Sequence, residues 1–307
     1  MSGLYSISLK PEEEALKMGK KFLKEVECDE PVLSCLQNRN VEDLNKASSN
    51  FLISFNIWVL AYEFLNIFDS KVFHVMQSWG PTVETQPISQ FQNVEKPVMI
   101  GSLSGDGKSF SFPPLNFFPQ ILLKMLLPND GTTVFQKYQE WYKGGDIFAH
   151  FLTDYMYTCP ARFAALDMNS QSVYDYYFDH VLSFTDKFSP WWCHQYACHG
   201  NDVPFFFQSA SFIGFNFTKD EEKLVDIYSS YLANFIHRGD PNDIPNSVPP
   251  KVSNLNPWLP IDPNPENLWT LVFSTEEPVV SKLGIKKEQC EFWDIIGYYN
   301  VVRLNKK

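Results

Sequence analysis

Three short runs of β-branched and aromatic residues limit what this 307-residue chain can fold into. Pro97-Val98-Met99-Ile100-Gly101, Val173-Tyr174-Asp175-Tyr176-Tyr177-Phe178 and Trp269-Thr270-Leu271-Val272-Phe273 each read as a strand. Between them lie stretches long enough for several helices. Short strands joined by long helical connections predict an α/β fold, a mostly parallel central sheet flanked by helices. One helix opens at Pro11 with Glu12, Glu13 and Glu14, and Ala15, Met18, Phe22, Leu23 and Val26 recur at helical spacing. A second starts at Thr218, with Glu221 completing a capping box and Leu224, Ile227, Tyr228, Tyr231 and Phe235 as the buried stripe. Gly239 and Pro241 end it. A third covers Pro119 to Leu127. The Pro- and Asn-rich segment from Asp240 to Pro265 reads as a surface excursion.

Composition removes some functions. With 44% hydrophobic residues the chain has material for a large core, and a net charge of -11 without a Lys/Arg-rich block makes nucleic acid and anionic membrane surfaces poor partners. No apolar run reaches the ~18 residues of a transmembrane segment. The longest, Phe51 to Phe68, is broken by Asn56 and Glu63. Met1 to Lys10 lacks the charged start and apolar middle of a signal peptide. Cysteines stand at 28, 35, 159, 193, 198 and 290, an even count that permits disulfides and leaves their pairing open. Cys193, His194, Cys198 and His199 are the nearest approach to a metal cluster. They crowd into one loop, unlike the separated ligand pairs of a zinc site, so no metal is expected.

The segment Tyr196-Ala197-Cys198-His199-Gly200-Asn201-Asp202-Val203-Pro204-Phe205-Phe206-Phe207 sets a His-Gly pair and an acid against a run of aromatics. A histidine flanked by Cys and Gly is most often structural, and Asp106, in Gly101-Ser102-Leu103-Ser104-Gly105-Asp106-Gly107, could be a turn residue. Taken together they read differently. Strand, acid on a loop, second strand, histidine on a loop is the order in which the acid and histidine of an α/β-hydrolase follow its nucleophile. There the acid fixes the imidazole tautomer and stabilises the imidazolium. Trp191, Trp192, Phe205 and Phe206 are candidates to line a substrate cavity, with ordinary core as the plainer alternative. Two imitations are set aside: Leu103 occupies the serine position of a nucleophile elbow in Gly101–Gly105, and Gly107-Lys108-Ser109 copies only the end of a phosphate loop. No GxSxG occurs anywhere in the chain.

Further segments fall into the same order: Met1-Ser2-Gly3, Val26-Glu27-Cys28 with Ser34-Cys35-Leu36-Gln37, Trp79-Gly80-Pro81-Thr82-Val83, Gly101 to Gly107, Thr158-Cys159-Pro160, His199 to Phe205, Tyr231 to Asn242, Trp258-Leu259-Pro260, and Gln289-Cys290-Glu291-Phe292-Trp293. The set resembles the second half of a type-B carboxylesterase, the cholinesterase-like family of α/β-hydrolases. Met1-Ser2-Gly3 stands where the strand after the nucleophile elbow would be. The resemblance implies His199 as catalytic histidine and Asp106 as its acid, where the family usually has Glu. It implies disulfides Cys28–Cys35 and Cys159–Cys290, and leaves Cys193–Cys198 as a local bridge over the histidine loop.

Residues 1–307 are thus expected to form one partial α/β-hydrolase domain, without the half that bears the nucleophilic serine and the oxyanion hole. The implied substrate is a small apolar ester, no cofactor is needed, and the family is one of carboxylic ester hydrolases. Disulfides imply an oxidising, secretory compartment, and Asn216-Phe217-Thr218 is a glycosylation sequon. A C-terminal helix, Lys286 to Tyr299, could pair in an oligomer. With no nucleophile the isolated chain is expected to be inactive. The alternatives are a non-catalytic cholinesterase-like binding or adhesion protein and an inactive remnant. An acid and a histidine, for which a binding protein has no need, favour the enzyme.

Overall fold

The structure is a computed structural model, and it describes residues 9–53, 82–84, 87–143, 145–168, 172–243, 252, 254–262, 264–277 and 279–298. Met1-Ser2-Gly3, most of the run from Phe51 to Phe68, and Trp79-Gly80-Pro81 lie outside them.

Helices α1 (Glu12–Glu25), α2 (Val32–Gln37) and α3 (Val41–Ile53) come first. Of the expected stripe of α1, Phe22, Leu23 and Val26 pack together with Cys28 and Ala47, while Ala15 and Met18 are half-buried outside that cluster. Cys28–Cys35 closes the turn between α1 and α2. The chain before α1 is tied to later chain by Val83 N–H donating to the Lys10 carbonyl at 3.0 Å.

The sheet contains β1 (Val98–Leu103), β2 (Val173–Phe178), β3 (Trp269–Phe273) and β4 (Val280–Leu283), side by side in chain order. The pairs β1–β2 and β2–β3 are parallel and β4 is antiparallel. The α/β expectation therefore holds, with one correction to an end. β1 does not stop at Gly101 but runs through it to Leu103, which moves the start of the following loop. Gly101 is needed inside the strand: a Cβ there would stand 2.4 Å from both Cδ1 and the carbonyl oxygen of Tyr176 on β2.

Every residue of β2 is buried, as expected for a central strand covered on both faces. Strand alternation divides its side chains. Tyr174, Tyr176 and Phe178 join Leu224, Tyr228 and Tyr231 of a long helix after the sheet crossover. Val173 packs instead on Ala161, Ala164 and Ala165. Between β1 and β2 run α4 (Pro119–Leu126), α5 (Gly131–Tyr142), α6 (Ile147–Thr153), a single π-helical turn Asp154–Thr158 and α7 (Cys159–Asp167). Between β2 and β3 lie the short α8 (Val203–Phe207) and the long α9 (Lys219–Arg238), which carries the expected capping box. The last element among the described residues is α10 (Lys287–Ile296), bound to α7 by Cys159–Cys290.

The segment 240–265 is not wholly a surface excursion. Trp258 is fully buried and its indole donates to the Asp175 carbonyl at 3.0 Å. Tyr231 Oη donates to the Asn256 carbonyl. A tryptophan offers more apolar area than a loop can leave in water, so the loop folds back to deliver it to the core.

Candidate active site

The ends of β1 and β2 present two loops that are fastened together. Gly105 N–H donates to the Ala197 carbonyl at 3.0 Å, and Gly105 pairs with Cys198 as a parallel bridge. The first loop continues as a 3-10 turn, Asp106–Phe110. This turn lies on α6, where Gly107 N–H donates to Thr153 Oγ1 at 3.0 Å. The approach is so close that a Cβ at Gly107 would stand 2.3 Å from Thr153 N. The second loop is closed by Cys193–Cys198, the third disulfide.

Between the loops, Asp106 Oδ1 meets His199 Nδ1 at 2.7 Å. Asp106 is fully buried, and its other oxygen accepts the Leu103 N–H at 2.7 Å. A carboxylate only accepts, so Nδ1 carries the proton and a neutral imidazole has its lone pair at Nε2. About a third of the His199 side chain is exposed (34%), which leaves the ring approachable. Burial lowers the imidazole pKa, but the hydrogen bond and charge of Asp106, with the charge of Asp202, outweigh it and hold it above the ordinary value. Asp202 is buried beside them and accepts from Tyr176 Oη and Tyr228 Oη, both at 3.4 Å. Burial pushes its carboxyl above the usual range.

The site contains side chains that sequence reasoning did not find. Among the described residues the rings against the imidazole are Tyr157, 5.0 Å away between centroids, and Phe110, at 5.8 Å. Tyr157 comes from the π-helical turn, an element that shifts side-chain direction by one residue and is frequent at functional sites. Its hydroxyl is buried without a hydrogen-bond partner. Lys108, set aside as a phosphate ligand, is buried and engaged: it forms an ion pair with Asp146, which also accepts from Tyr196 Oη at 2.6 Å. The Asp146 carboxyl is raised by burial, yet Lys108 and Tyr196 together hold it below its ordinary range. Nothing in the linear sequence marks these partners, because Phe110, Asp146 and Tyr157 reach the histidine loop from separate elements.

Other expected residues are placed as follows. Phe205 has no exposed surface and packs on Phe178, His180 and Phe217 within the core. Phe206 is half-buried against Phe207 and Tyr228, Trp192 is half-buried, and Trp191 is largely exposed. Asn216 is exposed in the loop before α9. Cys193 and Cys198 are bonded to each other, and His194 Nε2 lies 3.3 Å from the Ser189 carbonyl. Among the described residues no group of three His, Cys, Asp or Glu side chains is arranged to hold a metal. No helix among them is long and apolar enough to cross a membrane.

Comparison with known proteins matches residues 1–293 to the model of one family, described as the carboxylesterase family. Two Dictyostelium discoideum proteins align with nearly the whole chain. The cAMP-regulated D2 protein is 22% identical over 97% of this chain and 55% of its own length, and the Crystal protein 23% identical over 96% and 53%. The mouse pyrethroid hydrolase Ces2a is 34% identical over 48% of this chain and 24% of its own length. The chain spans about half the length of the two Dictyostelium relatives.

Proposed function

Because this chain belongs to the carboxylesterase family, we propose that it carries the acid and base of a carboxylic ester hydrolase. One observation carries the reading: the buried Asp106 carboxylate holds His199 by Nδ1, with the ring partly open to solvent. In this tautomer Nε2 takes the proton of a hydroxyl nucleophile as its oxygen attacks the ester carbonyl. Asp106 stabilises the imidazolium that results. The same Nε2–H then protonates the departing alcohol, and in a second round Nε2 activates the water that releases the acid. The nucleophile and oxyanion donors would come from chain outside these 307 residues, which contain no GxSxG. Residues 1–307 would form part of one α/β-hydrolase domain. Apolar esters suit the Phe110 and Tyr157 rings beside the imidazole. Three disulfides and an exposed Asn216-Phe217-Thr218 sequon favour a secretory location.

In a longer protein that contains this chain and hydrolyses p-nitrophenyl esters, His199→Ala should lower kcat by ~10³-fold or more. A loss of only a few fold would make His199 structural. The 307-residue chain alone should not be labelled by a fluorophosphonate probe, and stoichiometric labelling of a serine would overturn the assignment. A second reading, a non-catalytic binding protein, is favoured by one observation. The relatives that align with nearly the whole chain have names that state no hydrolytic activity, whereas the pyrethroid hydrolase aligns with less than half of it.

A further inference from the structure

We propose that Ser109 is a positioning residue for the Asp106–His199 pair: its hydroxyl accepts the backbone N–H of His199 and so sets where the imidazole meets the carboxylate. The inference rests on the reading of that pair as acid and base.

Asp106–Phe110 is a 3-10 turn. Such a helix has three residues per turn, so side chains at i and i+3 eclipse one another. Asp106 and Ser109 are so spaced, and both address the same residue. Asp106 takes the His199 side chain at Nδ1, 2.7 Å, and Ser109 Oγ takes its main-chain N–H at 3.0 Å. His199 is thus held at two points by one short element.

The main-chain contact fills a definite need. Asn201 N–H donates to the Cys198 carbonyl at 2.9 Å, closing a β-turn in which His199 is the second residue and Gly200, with φ of 88°, the third. Positive φ at the third position is the signature of a type II turn. In any such turn the N–H of the second residue has no partner inside the turn, and it needs one from elsewhere. Ser109 supplies it. The serine hydroxyl also lies 3.9 Å from Cys193 Sγ. That sulfur is bonded to Cys198 and has no proton to give, so the hydroxyl donates weakly to the disulfide while accepting from His199. The same oxygen touches both sides of the loop that carries the histidine.

The loop is fixed before His199 by the Gly105–Ala197 hydrogen bond and by Tyr196 on Asp146, and after it by Ser189 Oγ on Asn201 Oδ1 and by Tyr176 and Tyr228 on Asp202. None of those ties is made to His199 itself. Without Ser109 the His199 N–H loses this partner, and a local shift of under ~1 Å weakens the hydrogen bond to Asp106. The charged groups that face the imidazole are Asp106 from the 3-10 turn and Asp202 from its own loop, with the neutral Tyr157 from the π-helical turn. Loosening the loop should therefore be read mainly through Asp106.

The test is the titration of His199 in the labelled 307-residue chain, followed by NMR at its ring Cε1–H, with ring 15N shifts reporting the tautomer. The wild-type midpoint should lie above about 6.5. S109A should lower it by ~0.5 pH unit or more and weaken the Nδ1–H signature, and S109T should restore both. S109C, whose sulfur is a poorer acceptor, is the second variant should S109A not fold, and should shift in the same direction. D106N is the control for the pair itself and should lower the midpoint further. If S109A or S109C titrates as wild type while D106N falls, Ser109 does not position the histidine and the pair still stands. If D106N also leaves the midpoint unchanged, the acid–histidine reading fails, and the role of Ser109 fails with it.

Discussion

Glu221 offers the most quantitative test of how this fold is held. It is the third residue of α9 and completes the capping box by accepting the Thr218 N–H at 2.9 Å. The same carboxylate accepts the Ser183 N–H at 2.7 Å and the Ser183 hydroxyl at 2.6 Å, and His180 Nε2 lies 3.0 Å away. His180 and Ser183 belong to the loop that leaves β2, so one buried side chain (1% exposed) ties the sheet to its covering helix. Burial raises its pKa, but the hydrogen bonds from His180, Ser183 and Thr218 outweigh it and bring the value from 4.5 to about 2. At about 1.4 kcal/mol per pH unit this interval corresponds to about 3 kcal/mol of stability. The folded-state pKa is depressed, so the contribution is fully present above pH 4.5 and disappears as pH falls through about 2. Glu221→Gln keeps the shape but removes the charge. Urea unfolding at pH 7 should show it about 3 kcal/mol less stable than wild type, and the gap should close between pH 4.5 and 2. A gap under ~1 kcal/mol at pH 7, or one unchanged at pH 2.5, would refute the reasoning.

Two further substitutions probe the sheet and its staples. Replacing both Cys159 and Cys290 by Ser opens a link across 131 residues and should cost about 5 kcal/mol in urea unfolding, against about 2.5 kcal/mol for Cys28 and Cys35, seven residues apart; equal losses would argue against loop entropy as the cause. Gly101→Ala puts a methyl group 2.4 Å from the Tyr176 ring and carbonyl and should destabilise by about 3 kcal/mol, seen as a lower Tm by calorimetry.

The sequence reveals what depends on local pattern. β2 and β3 appear where β-branched and aromatic runs predict them, and α9 begins and ends on its capping box and glycine. It conceals what depends on distant chain. β4, Val280-Ser281-Lys282-Leu283, carries too few apolar residues to read as a strand, because an edge strand with one exposed face needs few. β1 overran its glycine because the Tyr176 ring, 75 residues on, fills the space a side chain would take. At the site the contrast is the same. Asp106 and His199 could be read from the order of strand, acid, strand and histidine. Tyr157 could not, since its contact depends on a π-helical turn with no sequence mark, and Phe110 could not, since its place beside the ring depends on the 3-10 turn that follows Asp106. The Asp106/Ser109 spacing is visible in the sequence, but it has meaning only once the segment is known to be 3-10 and not α-helical.

The Asp106–His199 contact is built entirely from elements inside this chain. Asp106 is buried by α6 and the end of β1, and its second oxygen is committed to the Leu103 N–H. The histidine loop is held by a disulfide, the Gly105–Ala197 bond and Ser109. None of these supports requires a nucleophile, so the pair can be formed whether or not an ester is ever attacked. A buried carboxylate without a partner is costly, and the histidine therefore also serves the stability of the loop. The two roles separate by measurement in the folded protein: the tautomer and titration of the ring, wild type against Asp106→Asn, report the pair, and the loss of turnover in His199→Ala reports the chemistry.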